Sequence, residues 1–309
     1  MRRTALITGG AGTLGQELAP LLTSEGWNVR STDIRDVSLP NVEFMQTDLR
    51  RPDDVRRAME GVDDVFHAAA WHGMHLRDHP RRDFWELNVD GTYNVLEAAV
   101  EAGVASLVLS STMGVYGSGS QPADDEPAVR VHEALPLRPG DIYGQSKVMA
   151  ERLVAYFSRK HGLRAVALRY GMFVPEPFGH YGIRMLYGGV DVRDVASANL
   201  LAVRHLDHSG EFGAYNVFSS LPFDDRDLEA LRTRPMAAVE RHWPDAPRLL
   251  AAIGTKPWGP INTVYDIGRA AREIGWRPRF GFAEFVDGLE QGASSADELH
   301  PDQSTPDGR

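Results

Sequence analysis

Residues 4–15 read Thr4-Ala5-Leu6-Ile7-Thr8-Gly9-Gly10-Ala11-Gly12-Thr13-Leu14-Gly15. The apolar run Ala5-Leu6-Ile7 predicts a buried parallel strand. Gly9, Gly12 and Gly15 follow at three-residue spacing, and counted from Gly10 the stretch also reads G-x-G-x-x-G. Leu14, Leu18, Leu21 and Leu22 then recur at helical spacing. The order is therefore strand, glycine turn, helix. Glycine lets the backbone turn sharply and come close to a pyrophosphate, and a helix N-terminus offers that anion free N–H groups and partial positive charge. Asp33, 18 residues past Gly15, ends a second apolar run at 27–32. A carboxylate at that place accepts hydrogen bonds from the ribose hydroxyls of a dinucleotide.

Working outward, strands and helices alternate. Strands are expected at 42–45, 65–70, 107–110 and 165–168. Helices are expected at 53–60 behind Pro52, at 84–101 ending at Gly103, and at 143–161 closed by Gly162. Residues 117–141 hold Gly, Pro and the acidic cluster Asp124-Asp125-Glu126, and read as a long solvated loop. This alternation predicts an α/β chain with a Rossmann-type doubly wound parallel sheet over residues 1–175. After Arg169 the pattern breaks into Gly, Pro and aromatics at 171–190, a helix at 192–205, a strand at 214–217 returning toward the main sheet, and helical pieces between prolines. Residues 176–293 read as a smaller substrate lobe over the carboxyl ends of the strands. The polar residues 294–309, with Pro301 and Pro306, are expected to be a disordered tail.

The chain has 309 residues and a net charge of −10, with no basic block, which argues against nucleic acid and anionic membrane as partners. There is no cysteine, so disulfides and thiolate metal sites are excluded. The apolar stretch behind Arg2 and Arg3 is too short for a signal peptide, and no run reaches transmembrane length. A cytoplasmic location is expected.

Tyr143 and Lys147 stand four apart at the start of one predicted helix and so share a face. A phenol is a poor base at its ordinary pKa of about 10, and a nearby ammonium favours the phenolate. Ser110-Ser111-Thr112 closes the preceding strand, where a hydroxyl can hold a reacting oxygen while Tyr143 moves its proton.

Together these residues resemble the extended short-chain dehydrogenase/reductases, the NAD-dependent epimerase/dehydratase family. The resemblance runs over about residues 1–205, with a family-like ending at Ile274-Gly275-Trp276-Arg277-Pro278. It rests on the glycine stretch, Asp33, Thr47-Asp48-Leu49, His67-Ala68-Ala69, Asn88, Ser110-Ser111-Thr112 with Val115-Tyr116-Gly117, Tyr143-Gly144-Gln145-Ser146-Lys147, and Arg169-Tyr170-Gly171. It implies that Gly9, Gly12, Thr13, Leu14 and Gly15 hold the pyrophosphate. Asp33 would bind the adenosine ribose and favour NAD over NADP, with Arg35 leaving some tolerance of NADP. Asp48 and Leu49 would contact adenine. Ala68, Ala69, Asn88, Ser110, Tyr170 and Met172 would complete the cofactor site. Tyr143 would be the base, Lys147 would bind the nicotinamide ribose, and Thr112, with Ser111 next in line, would be the hydroxyl partner. Relatives often form homodimers through two helices, here 84–101 and 143–160.

Two departures narrow the reaction. The 4,6-dehydratases of this family carry an Asp-Glu pair after the fifth strand. Met113 and Gly114 stand there and cannot transfer protons. Nucleotide-sugar enzymes of the family also carry several tens of residues between the sixth strand and the next helix, whereas Pro175 and Asp191 are only 16 apart. That short segment resembles uronate dehydrogenases in Phe173-Val174-Pro175-Glu176-Pro177 and Arg184-Met185-Leu186, which implies that Arg184 binds a substrate carboxylate. An Asn-His pair of those enzymes is replaced by Thr112-Met113. His72, in Trp71-His72-Gly73-Met74-His75, is a substrate-contact candidate beside the plainer reading of ordinary loop histidines, and no metal site is expected. The expectation is an NAD-dependent oxidoreductase acting on a secondary hydroxyl of a sugar or sugar-acid-like substrate. The alternative is a (nucleotide-)sugar 4-epimerase, and after it a non-catalytic NAD-binding regulator.

Overall fold

Alternate side chains of the opening strand, β1 (Thr4–Thr8), serve two different cores, because successive residues of a strand face opposite ways. Ala5 and Ile7 pack with Leu14, Leu18 and Leu22 of the helix Thr13–Ser24. Leu6 packs on the other side with Val55 and Met59 of the helix Pro52–Met59. The computed structural model describes residues 2–210 and 212–299. The remaining strands are β2 (Asn28–Asp33), β3 (Val42–Gln46), β4 (Asp64–His67), β5 (Ser106–Thr112), β6 (Val129–Val131), β7 (Arg164–Tyr170), β8 (Gly213–Val217) and β9 (Thr263–Tyr265). Seven of them form one parallel sheet in the order β3-β2-β1-β4-β5-β7-β8. The chain starts in the middle, winds out to β3, then crosses back to build the other half, so β1 and β4 flank the point where the winding reverses. The helices Gly91–Ala102 and Ile142–His161 cover one face, and Thr13–Ser24 and Val192–Leu206 the other.

The helix signals hold locally. Asp141 caps Ile142–His161 by accepting from the Gly144 N–H at 2.7 Å, and Gly162 closes it with φ +72°. The expected helix at 84–101 is broken: Arg81–Trp85 passes through a wide turn at Glu86–Asp90 before Gly91–Ala102. The expected loop at 117–141 contains β6, which pairs with β9 in the register Val129↔Thr263.

The boundary at 175/176 does not separate two cores. Val190, Val195 and Val203 lie beyond it in sequence yet pack in the core shared with β1 and β7, as do Tyr215, Ile274 and Trp276. The lobe has its own core, where Ile183, Met185 and Leu186 meet Phe223, Leu250, Ile261, Phe282 and Phe285. The reason is the sheet's edge: β8 covers β7, and the chain must leave the lobe to form it. The expected tail at 294–309 begins too early. Residues 294–299 include the turn Ala296–Glu298, and Leu299 is buried against Gly288, whose lack of a side chain makes the room. Residues 300–309 lie outside the described residues.

Candidate active site

The glycine turn is built by close approach. Gly9 has φ +74°, and a Cβ there would stand 2.7 Å from the Ala69 nitrogen. At Gly15 a Cβ would stand 2.6 Å from Gly10 Cα, so the helix Thr13–Ser24 could not come so near the loop with any other residue. That helix has Gly12 at its cap position and no side-chain cap, which leaves its first amides open. Asp33, at the carboxyl end of β2, accepts from the Ala11 N–H at 3.1 Å and the Arg35 N–H at 3.0 Å. Uncapped amides and a strand-end carboxylate across a tight glycine turn are the donor and acceptor set that a dinucleotide requires.

At the other end of the cleft, Tyr143 and Lys147 occupy successive turns of the helix Ile142–His161. The Thr112 hydroxyl faces the Tyr143 phenol closely enough to draw its pKa down. Lys147 is buried and donates to the Ser110 carbonyl at 2.8 Å. Burial pushes the Tyr143 phenol up to about 12, against the pull of Thr112. Lys147 does not offset this by itself, since the ammonium is aimed at a carbonyl and the desolvation of a phenolate outweighs the influence of Thr112. Burial also pushes Lys147 down to about 8, with Glu151 opposing.

Neighbouring hydroxyls of β5 are turned apart by the strand's two-residue alternation. Thr112 reaches Tyr143, while Ser111 donates to Glu151 Oε1 at 2.5 Å on the far side. Ser111 is therefore removed from the reacting set. Glu151 is in turn clamped by Arg169, with Nε at 3.0 Å and Nη2 at 2.8 Å, and Arg169 Nη1 donates to the Tyr116 hydroxyl at 3.1 Å. Tyr116 donates to Asn216 Oδ1 at 2.6 Å, and the Asn216 amide reaches the carbonyls of Val131 and Asp266. This buried chain ties β5, β7 and β8 to the β6–β9 pair. Sequence reading missed Glu151, although it stands four residues past Lys147, the same spacing as Tyr143 to Lys147.

Several expected cofactor residues are placed differently. Asn88 is buried, with its amide divided between both backbone groups of Trp71 at 2.8 Å and the Ser146 hydroxyl at 2.9 Å, so it holds a loop rather than facing the cleft. Leu49 is in the core, and its carbonyl accepts from Asn94 at 2.8 Å. Tyr170 is buried with its hydroxyl held by Asn199 at 2.8 Å. Leu14 is likewise a core side chain, leaving only its amide for an anion. Met172 is exposed at the rim, and Ala68 and Ala69 lie against Gly9. Arg50 holds the Asp48 carboxyl below the usual carboxylate range through bonds of 2.9 and 2.7 Å. With Ile34, Gln46, Thr47, Arg51, Asp54 and Arg57, Asp48 lines a cavity of about 450 Å³ at this end of the sheet.

The loop after β4 lies over Tyr143: a Cβ at Gly73 would stand 3.7 Å from Tyr143 Cδ1. Desolvation, with the charges of His75 and Lys147, pushes His72 down to about 4, so its imidazole is neutral at neutral pH. His79 stacks on Trp71 at 3.9 Å and bonds Asp83 at 3.0 Å. Among the described residues no three such side chains are grouped to hold a metal ion. Arg184 has its fork filled: Nε and Nη2 both donate to Glu176, the second at 2.8 Å. The expected pairing with a substrate carboxylate would find those donors engaged.

An uncapped glycine turn over a doubly wound sheet, with a tyrosine, lysine and threonine at its carboxyl edge, defines an enzyme of the extended short-chain dehydrogenase/reductase type that uses NAD. The chain belongs to the NAD dependent epimerase/dehydratase family, whose model matches residues 5–180. It is 34% identical to a UDP-glucose 4-epimerase of Streptomyces lividans, over 88% of this chain and 91% of that one. It is also 34% identical to an L-arabinose 1-dehydrogenase (NAD(P)(+)) of Haloferax volcanii, over 91% and 98%. Among solved structures it resembles the Thermus thermophilus UDP-glucose 4-epimerase complex with NAD, at 27% identity, a TM-score of 0.65, and coverage of 94% and 100%. Among the described residues no helix is long and apolar enough to cross a membrane.

Proposed function

We propose that this chain is an NAD-dependent dehydrogenase that oxidises a secondary hydroxyl of a sugar or sugar-like substrate. The observation that carries the reading is the cluster of Tyr143, the neighbouring Thr112 hydroxyl and the buried Lys147 one helical turn away. NAD, when bound, would supply the hydride acceptor. The amides of Thr13 and Leu14 with Gly9, Gly12 and Gly15 suit its pyrophosphate, and Asp33 its adenosine ribose, where a carboxylate disfavours the 2′-phosphate of NADP. Ala68, Ala69, Ser110 and Met172 border the same cleft.

Thr112 holds the reacting oxygen, and Tyr143 takes its proton. A phenol at about 12 is protonated at neutral pH, so oxidation draws on its small ionised fraction, which a bound nicotinamide cation would enlarge. In the reducing direction the same protonated phenol is ready to donate. Lys147 at about 8 keeps most of its charge at pH 7 and has two ammonium donors beyond the one given to Ser110.

The short segment between β7 and the helix Val192–Leu206 supports the dehydrogenase over an epimerase. The Met172 N–H bonds the Gly188 carbonyl at 2.9 Å and the Val190 N–H bonds the Met172 carbonyl at 3.1 Å, so residues 172–190 close on themselves and offer little chain to embrace a nucleotide. A 4-epimerase is the second reading, favoured by the Streptomyces relative. Incubation with NAD and two panels, free sugars and nucleotide sugars, separates them: the account expects NADH in molar excess over enzyme with a free sugar. Interconversion of a nucleotide sugar without net NADH would replace it with the epimerase. The same reading carries a cytoplasmic enzyme of carbohydrate metabolism and a homodimer through the helices Gly91–Ala102 and Ile142–His161, whose Tyr93 and Tyr156 are exposed. A monomer in sedimentation would refute the dimer.

A further inference from the structure

A line of buried polar side chains runs through the core from the glycine turn to the loop over Tyr143. Thr8 ends β1 and His67 ends β4, side by side in the register Thr8↔His67. Gly9 follows Thr8, and Ala69 packs against it. The Ala69 N–H donates to Thr8 Oγ1 at 3.2 Å. Thr8 Oγ1 lies 2.8 Å from His67 Nδ1, and His67 Nε2 lies 2.9 Å from Thr92 Oγ1. The Thr92 hydroxyl donates to the Asn88 carbonyl at 2.6 Å.

The protons along this line have one arrangement. A carbonyl only accepts, so the single hydroxyl proton of Thr92 goes to Asn88. Thr92 Oγ1 can then only accept from the imidazole, which puts the ring hydrogen on Nε2. Burial and Lys147 push His67 down to about 3, so the ring is neutral and Nδ1 is bare. Nδ1 therefore accepts the Thr8 hydroxyl proton, and every donor points from the glycine turn toward Asn88. Asn88 passes the geometry on. Its Oδ1 accepts from the Trp71 N–H at 2.8 Å, and its Nδ2 donates to the Trp71 carbonyl at 2.8 Å and the Ser146 hydroxyl at 2.9 Å. Ser146 donates in turn to the Tyr143 carbonyl at 2.7 Å. Trp71 opens the loop whose Gly73 lies over the Tyr143 ring.

Apolar side chains of the same shape would fill this core at little cost, so stability alone does not call for the line. What hydrogen bonds add is fixed distance and direction, and a fully satisfied buried network specifies one geometry. We propose that His67 and Thr92 are positioning residues for the active site: they fix Asn88, and through it the height of the loop 71–75 above Tyr143, from the strand ends that carry the dinucleotide turn. A misplacement of about 1 Å, caused far from the chemistry, can cost roughly 10²-fold in rate. This role rests on the dehydrogenase reading above for its kinetic consequence and not for its structural one.

The test removes one hydroxyl. Thr92→Val keeps the shape and breaks both of its bonds, whereas Thr92→Ser keeps the hydroxyl and drops the methyl group. One readout is amide hydrogen exchange over residues 71–79 of the NAD-loaded protein. The other is kcat/KM for the best free sugar at saturating NAD. Thr92→Val should exchange those amides roughly tenfold faster and lose roughly 10- to 100-fold in kcat/KM, and Thr92→Ser should recover most of both. A merely structural contact would lower the unfolding midpoint of Thr92→Val and leave both readouts unmoved, which overturns the proposal. So does a Thr92→Ser as impaired as Thr92→Val, and faster exchange with wild-type kcat/KM overturns the link to Tyr143. If Thr92→Val does not fold, Thr92→Ala takes its place against the same Thr92→Ser. If no sugar yields NADH, the dehydrogenase reading has failed and exchange alone decides: fast in Thr92→Val and slow in Thr92→Ser supports the positioning role, and equal rates in both variants overturn it.

Discussion

The helix Ile142–His161 carries two polar clusters, Tyr143 with Lys147 and, one turn further on, Glu151, and they are finished differently. At Tyr143 and Lys147 capacity is left over: the phenol has only the nearby Thr112 hydroxyl to draw on it, and the ammonium gives one of three donors to Ser110. At Glu151 both carboxylate oxygens are taken, and Arg169 spends Nε, Nη1 and Nη2 on Glu151, Tyr116 and the Glu133 carbonyl. Polar groups that are fully satisfied in a core specify geometry, and groups held in place with donors to spare can meet a substrate. The second cluster fixes the helix against β5 and β7, and so fixes where the first one points.

Three substitutions sharpen that contrast. Tyr143→Phe removes the proton carrier while keeping the ring. It should lower kcat by roughly 10²–10⁴ with an unchanged melting temperature, and wild-type turnover in that variant would break the assignment. Glu151→Ala leaves the Arg169 charge buried without its partner. Urea unfolding should show a loss of roughly 3–5 kcal/mol, and a loss below about 1 kcal/mol would mean that the network is solvated after all. The third variant concerns His67, buried between Thr8 at 2.8 Å and Thr92 at 2.9 Å and pushed down to about 3 by burial and by Lys147. The unfolded chain takes up a proton near the ordinary 6.5 that the folded chain refuses, so stability falls as pH drops from 6.5 toward 3. His67→Gln should flatten that part of the stability–pH curve, and an unaltered slope would refute the linkage.

The nucleotide half of the molecule was legible in the sequence because its signals are local. Gly9, Gly15, Gly103 and Gly162 are each demanded by a turn or a close approach within a few residues or one strand away, and the apolar runs name the strands. The lobe was not, because its organisation depends on distant partners. β6 and β9 are three residues each and meet across more than a hundred residues of chain, and neither is long enough to show a period. The boundary at 175/176 failed for the same reason: nothing near Val190 or Trp276 says that it joins the core that β1 and β7 share. Arg184 was legible as a carboxylate binder, but not the carboxylate it would find, since Glu176 stands eight residues away on the far side of Pro177. Ser111 could have been read correctly. Two-residue alternation places it opposite Ser110 and Thr112, and that rule was available from the strand alone.

The split between those two hydroxyls is the most direct test of the account. Measured side by side with NAD and the best free sugar, Thr112→Val should lose roughly a hundredfold in kcat/KM, as the reacting oxygen loses its partner next to Tyr143. Ser111→Ala should keep near wild-type kcat/KM and lose about 1–3 kcal/mol of stability instead, because a buried carboxylate oxygen loses its donor. The reverse result, with Ser111→Ala inactive and Thr112→Val active, would contradict the placement of the reacting group and with it the proposed mechanism.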